Sequence, residues 1–196
     1  MVVDAGADAV GFVVNVPDSP RNLSLDRARE LIEQTPVFVE TVAVTMAEDP
    51  VHLERLCAEL CPDILQVHGA GPDRFQGRLR FPGTKLIGAV QVRPSLAAED
   101  VARAMGCFDA VLLDSYSLGK HGGTGVSHDW ELSRRIRDLL SPRPIVLAGG
   151  LNAENVRAAV GAVSPYGVDV SSGVEACPGT KDPEKLMRFM RNVEEA

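Results

Sequence analysis

Short apolar runs rich in β-branched residues alternate with amphipathic segments of helical period along this chain of 196 residues. Such alternation is typical of a parallel β-sheet whose strands are joined by crossover helices. The predicted strands are Ala9–Val14, Phe38–Thr45, Ile64–His68, Lys85–Val92, Ala110–Asp114, Pro144–Ala148 and Val168–Ser171. The predicted helices are Ser24–Gln34, Asp49–Cys61, Leu96–Ala104, Trp130–Leu140, Ala153–Val163 and Pro183–Val193, with a weaker candidate over Asp73–Arg80.

Glycine-rich turns distinguish the two architectures that use this alternation, an open doubly wound sheet and a closed barrel. No Gly-x-Gly-x-x-Gly follows the first predicted strand, whereas glycines follow three late strands, at Gly122–Gly125, Gly149–Gly150 and Gly173. This distribution favours a (β/α)8 TIM barrel, formed by residues 1–196 as a single domain. One such turn is more often a tight βα connection, but three at one barrel face predict backbone N–H groups that bind a phosphate. The candidate phosphate-binding residues are Gly123, Gly149, Gly150, Ser172 and Gly173.

The acidic balance of the chain excludes several classes of partner. The formal net charge is −7 and the isoelectric point is near 5.1. We therefore expect neither a nucleic acid nor an anionic membrane as partner, since either would need a basic face. The longest uncharged apolar runs are far shorter than the roughly 20 residues of a transmembrane helix, and the N-terminus lacks the features of a secretory signal. We expect a cytoplasmic monomer or homodimer that binds a small molecule.

The cysteines give no reason to expect a disulfide framework or a metal centre. Four cysteines occur at sparse and irregular positions, so reduced thiols are expected. Cys57 and Cys61 lie one helical turn apart, but His52 and His68 do not offer further metal ligands at matching spacing. The sequence therefore predicts no metal site.

Two residues at strand ends are candidates for chemistry. Asp114 ends a predicted strand, so its carboxylate should project at the mouth of the barrel, where catalytic residues of such barrels lie. The alternative is that Asp114 caps the next turn with Ser115 or Ser117. Arg21 lies in the loop after the first predicted strand, where its guanidinium could bind a carboxylate in bidentate fashion. The alternative for Arg21 is a solvated loop side chain.

Three polar residues are expected inside the barrel. Gln66 and His68 alternate along one strand and face the interior on the same side. Polar groups there either contact a ligand or form a satisfied hydrogen-bonded layer, and for His68 we favour a supporting role over direct catalysis. Asp169 is a carboxylate within a strand that we expect to be buried, so it must have partners.

The chain as a whole resembles one family, the phosphoribosylanthranilate isomerases of tryptophan biosynthesis. Together the matching segments are highly specific, and they span essentially the whole chain in the family's order. They are Gly6–Phe12, Ser19-Pro20-Arg21, Leu65–Gly69, Leu113-Asp114-Ser115, Gly122–Gly125 with Asp129-Trp130, Ala148–Asn152 with Asn155-Val156, and Val168–Glu175 with Pro178-Gly179 and Lys181-Asp182.

The resemblance implies a cofactor-free Amadori rearrangement. N-(5-phosphoribosyl)anthranilate would become the corresponding 1-amino-1-deoxyribulose 5-phosphate, which requires an acid for ring opening and a base for enolamine formation. By the same resemblance Asp114 is the acid that protonates the ribose ring oxygen, and Arg21 meets the anthranilate carboxylate. The phosphate would bind the loops at Gly149, Gly150 and Ser172–Gly173, and Gln66, His68 and Asp169 are expected to line the substrate site.

One departure from the family concerns the general base. The family begins with a strand that reads Lys-x-Cys-Gly, whose cysteine is the base, and nothing in residues 1–196 corresponds to it. Residues 1–8 read as the end of a first helix, and seven predicted strands cannot close an eight-stranded barrel. The chain could be a fragment of an ordinary isomerase, which we favour, or a non-catalytic phosphate-binding relic. It could also be another phosphosugar barrel, although the Ser-Pro-Arg loop and the Leu-Asp-Ser strand end argue against that.

Overall fold

Seven parallel β-strands curl into an incomplete barrel with helices on its outside. The computed structural model describes residues 1–46, 49–69, 80–93, 95–115 and 129–196. The strands lie in sequence order across the sheet, and each pairs in parallel with the next. They are β1 (Ala9–Val13), β2 (Glu40–Met46), β3 (Ile64–His68), β4 (Lys85–Val92), β5 (Ala110–Ser115), β6 (Ile145–Leu147) and β7 (Gly167–Val168).

Helices follow most of the strands, as the alternating pattern predicted. They are α1 (Leu25–Glu33), α2 (Pro50–Leu60), α3 (Ala98–Ala104), α4 (Trp130–Leu140), α5 (Val156–Val163) and α6 (Pro183–Glu194). Two short 3-10 helices cover Met105–Cys107 and Ser172–Val174. A small antiparallel hairpin of β8 (Glu175–Cys177) and β9 (Thr180–Lys181) follows β7 and was not predicted.

Side-chain caps determine where several helices begin. The capping residues are Ser24, Asp49, Asp129 and Asp182. The Asp182 carboxylate accepts hydrogen bonds from the backbone N–H groups of Glu184 and Lys185 at 2.9 and 3.1 Å, and Pro183 follows the cap because the first helical residue needs no N–H donor. Such caps can be identified in the sequence, which is why the predicted starts of α1, α2, α4 and α6 are close to the observed ones.

Some predicted boundaries were wrong, and others lie outside the described residues. β2 begins at Glu40 rather than Phe38, because residues 36–39 form a turn in which the Val39 N–H donates to the Pro36 carbonyl at 2.9 Å and leaves Phe38 98% exposed. Residues 2–6 form turns rather than a helix. Most of the weaker helix candidate and the whole glycine turn at residues 122–125, with Gly123, lie outside the described residues.

Alternation along the strands divides the hydrophobic core into two layers. The outer layer packs the sheet against the helices and contains fully buried side chains such as Leu65 and Val111. The inner layer lies inside the curled sheet, where Ala89, Leu112 and Ala148 form a separate small cluster. The strand register places Gln66 and Asp114 on this inner face.

The sheet has a gap between its two edge strands, which we call the β1–β7 seam. Within the described residues neither β1 nor β7 pairs with a further strand. Gly11 of β1 and Asp169, which directly follows β7, are both exposed. Solvent therefore reaches the inside of the sheet along this seam, as expected where two strand edges are left unpaired.

Candidate active site

Four of the predicted site elements lie at or just beyond the carboxyl ends of the strands. Asp114 is near the end of β5, Gly149–Gly150 follow β6, Ser172–Gly173 follow β7, and Arg21 is in the loop after β1. In a parallel barrel all strand ends of this kind share one face, on which catalytic and phosphate-binding groups are built. The topology therefore brings an acid, a guanidinium and two glycine turns to the same end of the sheet.

The carboxyl group of Asp114 at this face is a weaker acid than an ordinary aspartic acid. Its inward-facing side chain is half-buried. Its pKa is raised to about 6, mainly by burial and secondly by the negative charge of Asp169. The backbone N–H of Ser115 opposes this rise. A carboxyl group with this pKa is partly protonated near neutral pH, so it can deliver a proton to a leaving oxygen.

Gly149 brings the loop after β6 directly onto the end of β5. Its φ is +82°, and a Cβ at this position would lie 2.1 Å from the Ser115 nitrogen and 2.6 Å from Asp114 Oδ1. Both the backbone conformation and the space exclude any side chain. The absence of a Cβ thus lets the Gly149 backbone pack against the candidate acid.

Asp169 was predicted in a buried strand, and that prediction was wrong. It follows the two-residue strand β7, and its side chain is exposed to the solvent inside the open sheet. Its backbone N–H donates to the Leu147 carbonyl at 2.8 Å. Desolvation by the surrounding protein raises the pKa of Asp169, and the positive charge of Lys181 opposes this rise. Asp169 is therefore an acidic neighbour of Asp114 that Lys181 partly compensates.

Gln66 and His68 form a hydrogen-bonded pair on β3. Gln66 is buried, His68 is half-buried, and Gln66 Nε2 lies 3.0 Å from His68 Nε2. Burial lowers the pKa of His68, which favours the neutral imidazole whose Nε2 can accept the amide hydrogen bond. No hydrogen bond in the described ranges joins this pair to Asp114. The geometry fits the satisfied polar layer that we favoured for His68.

Arg21 is tied by two hydrogen bonds to Glu175, a residue 154 positions away. Arg21 Nε donates to Glu175 Oε1 at 2.8 Å, and Nη2 donates to Oε2 at 2.5 Å. The Glu175 side chain is 5% exposed and that of Arg21 is 23% exposed. Hydrogen bonding to Arg21 holds the pKa of Glu175 below its usual value. Arg21 is thus a fixed group rather than the solvated loop side chain of the alternative interpretation.

The glycine turns after β6 and β7 pack against each other. A Cβ on Gly173 would lie 1.9 Å from the Leu151 carbonyl oxygen, so only glycine fits there. Gly150 has a φ of +66°, and its carbonyl accepts a hydrogen bond from Asn155 Nδ2 at 3.0 Å. Among the described residues, no acceptor is found for the backbone N–H of Gly149 or Gly150. Within that part of the chain, no other acceptor competes with an anion for these donors.

The turn before α5 explains another difference from the predicted boundaries. Asn152 Oδ1 accepts hydrogen bonds from the N–H groups of Glu154 and Asn155 at 2.9 and 3.1 Å. These are donors that a capping side chain satisfies in a first helical turn, but residues 153–155 form a turn, and the regular helix begins at Val156 rather than at Ala153. Hydrogen bonds of the Asn152 and Asn155 side chains therefore hold the loop that follows the glycine turn.

The described ranges contain neither a cluster of metal ligands nor a helix that could span a membrane. No group of three or more His, Cys, Asp or Glu side chains there is placed to hold a metal ion. None of the helices in those ranges combines the length and the hydropathy that a bilayer crossing requires.

The family assignment follows from sequence comparison. Residues 1–192 match the family model PRAI, described as N-(5'phosphoribosyl)anthranilate (PRA) isomerase. The chain belongs to this family. The resemblance that the sequence motifs indicated is therefore confirmed, and membership makes the chain an enzyme of the isomerase type.

Individual isomerases agree with this assignment in sequence and in fold. The enzyme of Haloarcula marismortui is 43% identical over 196 residues, which cover 100% of this chain and 90% of that protein. The crystal structure of the Thermotoga maritima isomerase superposes with a TM-score of 0.80 at 36% identity and covers 100% of this chain and 92% of its own. Another solved isomerase structure contains reduced 1-(o-carboxyphenylamino)-1-deoxyribulose 5-phosphate; it has a TM-score of 0.76 and 34% identity, and covers 100% of this chain and 91% of that one. The predicted TIM-barrel class is confirmed.

Sequence reasoning missed the groups that surround Arg21. Glu175 and Lys181 lie in the short hairpin after β7, and Lys185 lies in the first turn of α6. In the sequence they could be noticed only because they lie in or near segments shared with the family. Charged residues in short irregular segments show no periodic pattern that would indicate their contacts.

Proposed function

We propose that this isomerase family member binds N-(5'-phosphoribosyl)anthranilate and that Asp114 is the general acid of the rearrangement. The observation that carries the proposal is the inward-facing Asp114 carboxyl group with its pKa raised to about 6. Protonation of the ribose ring oxygen breaks the C1–O bond, while the anthranilate nitrogen forms a double bond to C1. Removal of the C2 proton then gives the enolamine, which becomes the ketone after proton transfer. The acid gives one proton to the substrate, the base removes one, and electron pairs shift within the substrate without net oxidation, so no cofactor is required.

The two ends of the substrate have matching groups at the same face of the sheet. We propose that the phosphate binds the backbone N–H groups of the turns at Gly149–Gly150 and Ser172–Gly173, because donors in such turns are directed at anions. The anthranilate carboxylate binds Arg21, whose guanidinium can form two parallel hydrogen bonds to it. Gln66, His68 and Asp169 line the interior between these ends, and Gly123 is proposed as a further phosphate contact on sequence grounds alone.

Removal of the C2 proton requires a base that the matched residues do not supply. The Lys-x-Cys-Gly motif implied by the resemblance is not found in residues 1–196. Cys177 is exposed in β8, on the hairpin beyond the glycine turns. We therefore propose that these residues carry substrate binding and ring opening, and that full turnover needs a base on a strand placed in the β1–β7 seam.

Two fluorescence measurements on purified protein test the proposal. The first is titration with the reduced product analogue, and the second is the loss of anthranilate fluorescence from freshly made phosphoribosylanthranilate. Both are made on chain 1–196 and on a version extended by a strand that contains Lys-x-Cys-Gly. We expect both proteins to bind the analogue and the extended protein to turn over. If neither protein binds, the proposed substrate is wrong; if chain 1–196 turns over alone, another base operates, and Cys177→Ser is the first variant to test.

We propose a monomer or a homodimer that acts on a small phosphorylated substrate in the cytoplasm, with no nucleic acid or membrane partner. Light scattering after size-exclusion chromatography measures the first property directly.

A further inference from the structure

We propose that Glu175 is a positioning residue that orients Arg21 for the substrate carboxylate. This inference rests on the proposed function. Its basis is the two-point contact described above, in which both oxygens of a nearly buried carboxylate accept hydrogen bonds from Arg21. A single surface ion pair would not fix a guanidinium, whereas a bidentate contact fixes both its position and its plane.

Glu175 is itself held at both its side chain and its backbone. Lys181 Nζ lies 3.4 Å from Glu175 Oε1 and donates to the Ser171 carbonyl at 2.9 Å. Lys185 Nζ donates to the backbone carbonyl of Glu175 at 2.8 Å. The ammonium of Lys181 and the guanidinium of Arg21 both keep the pKa of Glu175 low. The carboxylate is therefore ionised at neutral pH and anchored to the turn that follows β7.

The contact with Glu175 leaves one edge of the guanidinium for a ligand. Arginine has five N–H donors in a planar fork. Nε and Nη2 each use one donor on Glu175, and no acceptor for Nη1 is found among the described residues. The edge formed by Nη1 and the second hydrogen of Nη2 can still bind a planar carboxylate in bidentate fashion. Glu175 thereby determines which edge of Arg21 faces the substrate.

The position of the Arg21–Glu175 pair explains why Arg21 needs a partner that orients it. Arg21 belongs to the loop after β1, and Glu175 begins the hairpin after β7, so their ion pair crosses the β1–β7 seam. Gly179 of the same hairpin also approaches this loop, since a Cβ on it would lie 3.6 Å from the Pro20 carbonyl oxygen. Glu175 thus sets the distance between the carboxylate-binding arginine on one side and the phosphate turns on the other.

The test compares two ligands on three proteins. The ligands are reduced 1-(o-carboxyphenylamino)-1-deoxyribulose 5-phosphate and the same compound without its carboxyl group. The proteins are the unmodified chain, Glu175→Gln, and the control Glu154→Gln, which removes an exposed carboxylate paired with Arg188. We expect Glu175→Gln to weaken binding of the carboxylate ligand roughly tenfold and that of the other ligand less than twofold. The control should bind both ligands like the unmodified chain.

A second readout separates this inference from the proposed function. The Arg21 Nε–H resonance in an NMR spectrum should be slow to exchange in the unmodified chain and lost in Glu175→Gln, whether or not the ligand binds. If the carboxylate ligand does not bind the unmodified chain, the proposed function fails, and the resonance alone decides the role of Glu175. Equal weakening for both ligands, or a retained resonance, would overturn the role. If Glu175→Gln does not fold, Glu175→Asp replaces it, because the shorter side chain cannot keep both hydrogen bonds to Arg21, and the loss should again be confined to the carboxylate ligand.

Discussion

Replacement of Gly149 by alanine tests whether the loop after β6 packs directly against Ser115 and Asp114. Alanine at this position would have to adopt a φ of +82° and to place its Cβ 2.1 Å from the Ser115 nitrogen. The backbone conformation costs an L residue roughly 1–2 kcal/mol, and forcing an extra carbon into a packed site typically costs about 1–3 kcal/mol more. We expect Gly149→Ala to lower the free energy of unfolding by about 2–5 kcal/mol.

Two other glycines provide matched controls for this substitution. Gly150 has a φ of +66°, but nothing lies within 4 Å of a Cβ there, so Gly150→Ala should show the backbone penalty alone, roughly 1–2 kcal/mol. Gly161 lies within α5 with equally open space, so Gly161→Ala should stabilise the protein by about 0.5–1 kcal/mol. The order of stability should therefore be Gly161→Ala, unmodified chain, Gly150→Ala, Gly149→Ala.

Equilibrium unfolding in urea measures all four proteins under the same conditions, and a constant slope against denaturant shows that the unfolded states are comparable. The comparison of Gly149→Ala with Gly150→Ala tests the contact between Gly149 and the end of β5. If Gly149→Ala is no less stable than Gly150→Ala, the close approach to Ser115 and Asp114 does not exist as described.

Two further substitutions address the proposed acid and the carboxylate contact. Asp114→Asn should abolish turnover in the strand-extended protein and leave analogue binding nearly unchanged. The folded-state pKa is raised from 3.8 to about 6, so the ionised group destabilises the fold as pH rises through this interval. The Asn variant should therefore be more stable by about 3 kcal/mol at pH 8 and no more stable at pH 3. Equal stability at both pH values would contradict the raised pKa. Arg21→Ala should weaken analogue binding about 10- to 100-fold and raise KM more than it lowers kcat, whereas a selective loss of kcat would contradict its role.

The elements of the fold could be predicted because they depend on local and periodic properties. The apolar runs of β3 and β4 and the capping aspartates before α4 and α6 are readable without any tertiary contact. The inward direction of Gln66 and Asp114 follows from alternation along a strand once the register is known. Local sequence therefore determines which residues point into the barrel and at which end they lie.

The partners of the site residues could not be predicted, because they depend on contacts between distant segments. Arg21 gave no sign that it pairs with Glu175, since 154 residues separate them and the hairpin that holds Glu175 has no periodic pattern. Asp169 was expected within a buried apolar strand, but β7 ends at Val168, so Asp169 lies outside the strand and is exposed. The steric role of Gly149 likewise appears only when two loops meet.

The β1–β7 seam links the architecture of the sheet to the strength of its acid. The pKa of Asp114 is raised first by burial and then by the charge of Asp169, and both effects grow when water leaves the interior. Asp169 is exposed at the seam, where solvent reaches it. We expect a strand placed in the seam to remove that solvent and to raise the pKa of Asp114 further, so that more of the acid is protonated at neutral pH. The pH dependence of unfolding, compared between chain 1–196 and the strand-extended protein, measures this shift, and an unchanged profile would contradict it. A strand that supplies the base would therefore also raise the pKa of the acid, because the strand that carries the base is the one that excludes water from around Asp114.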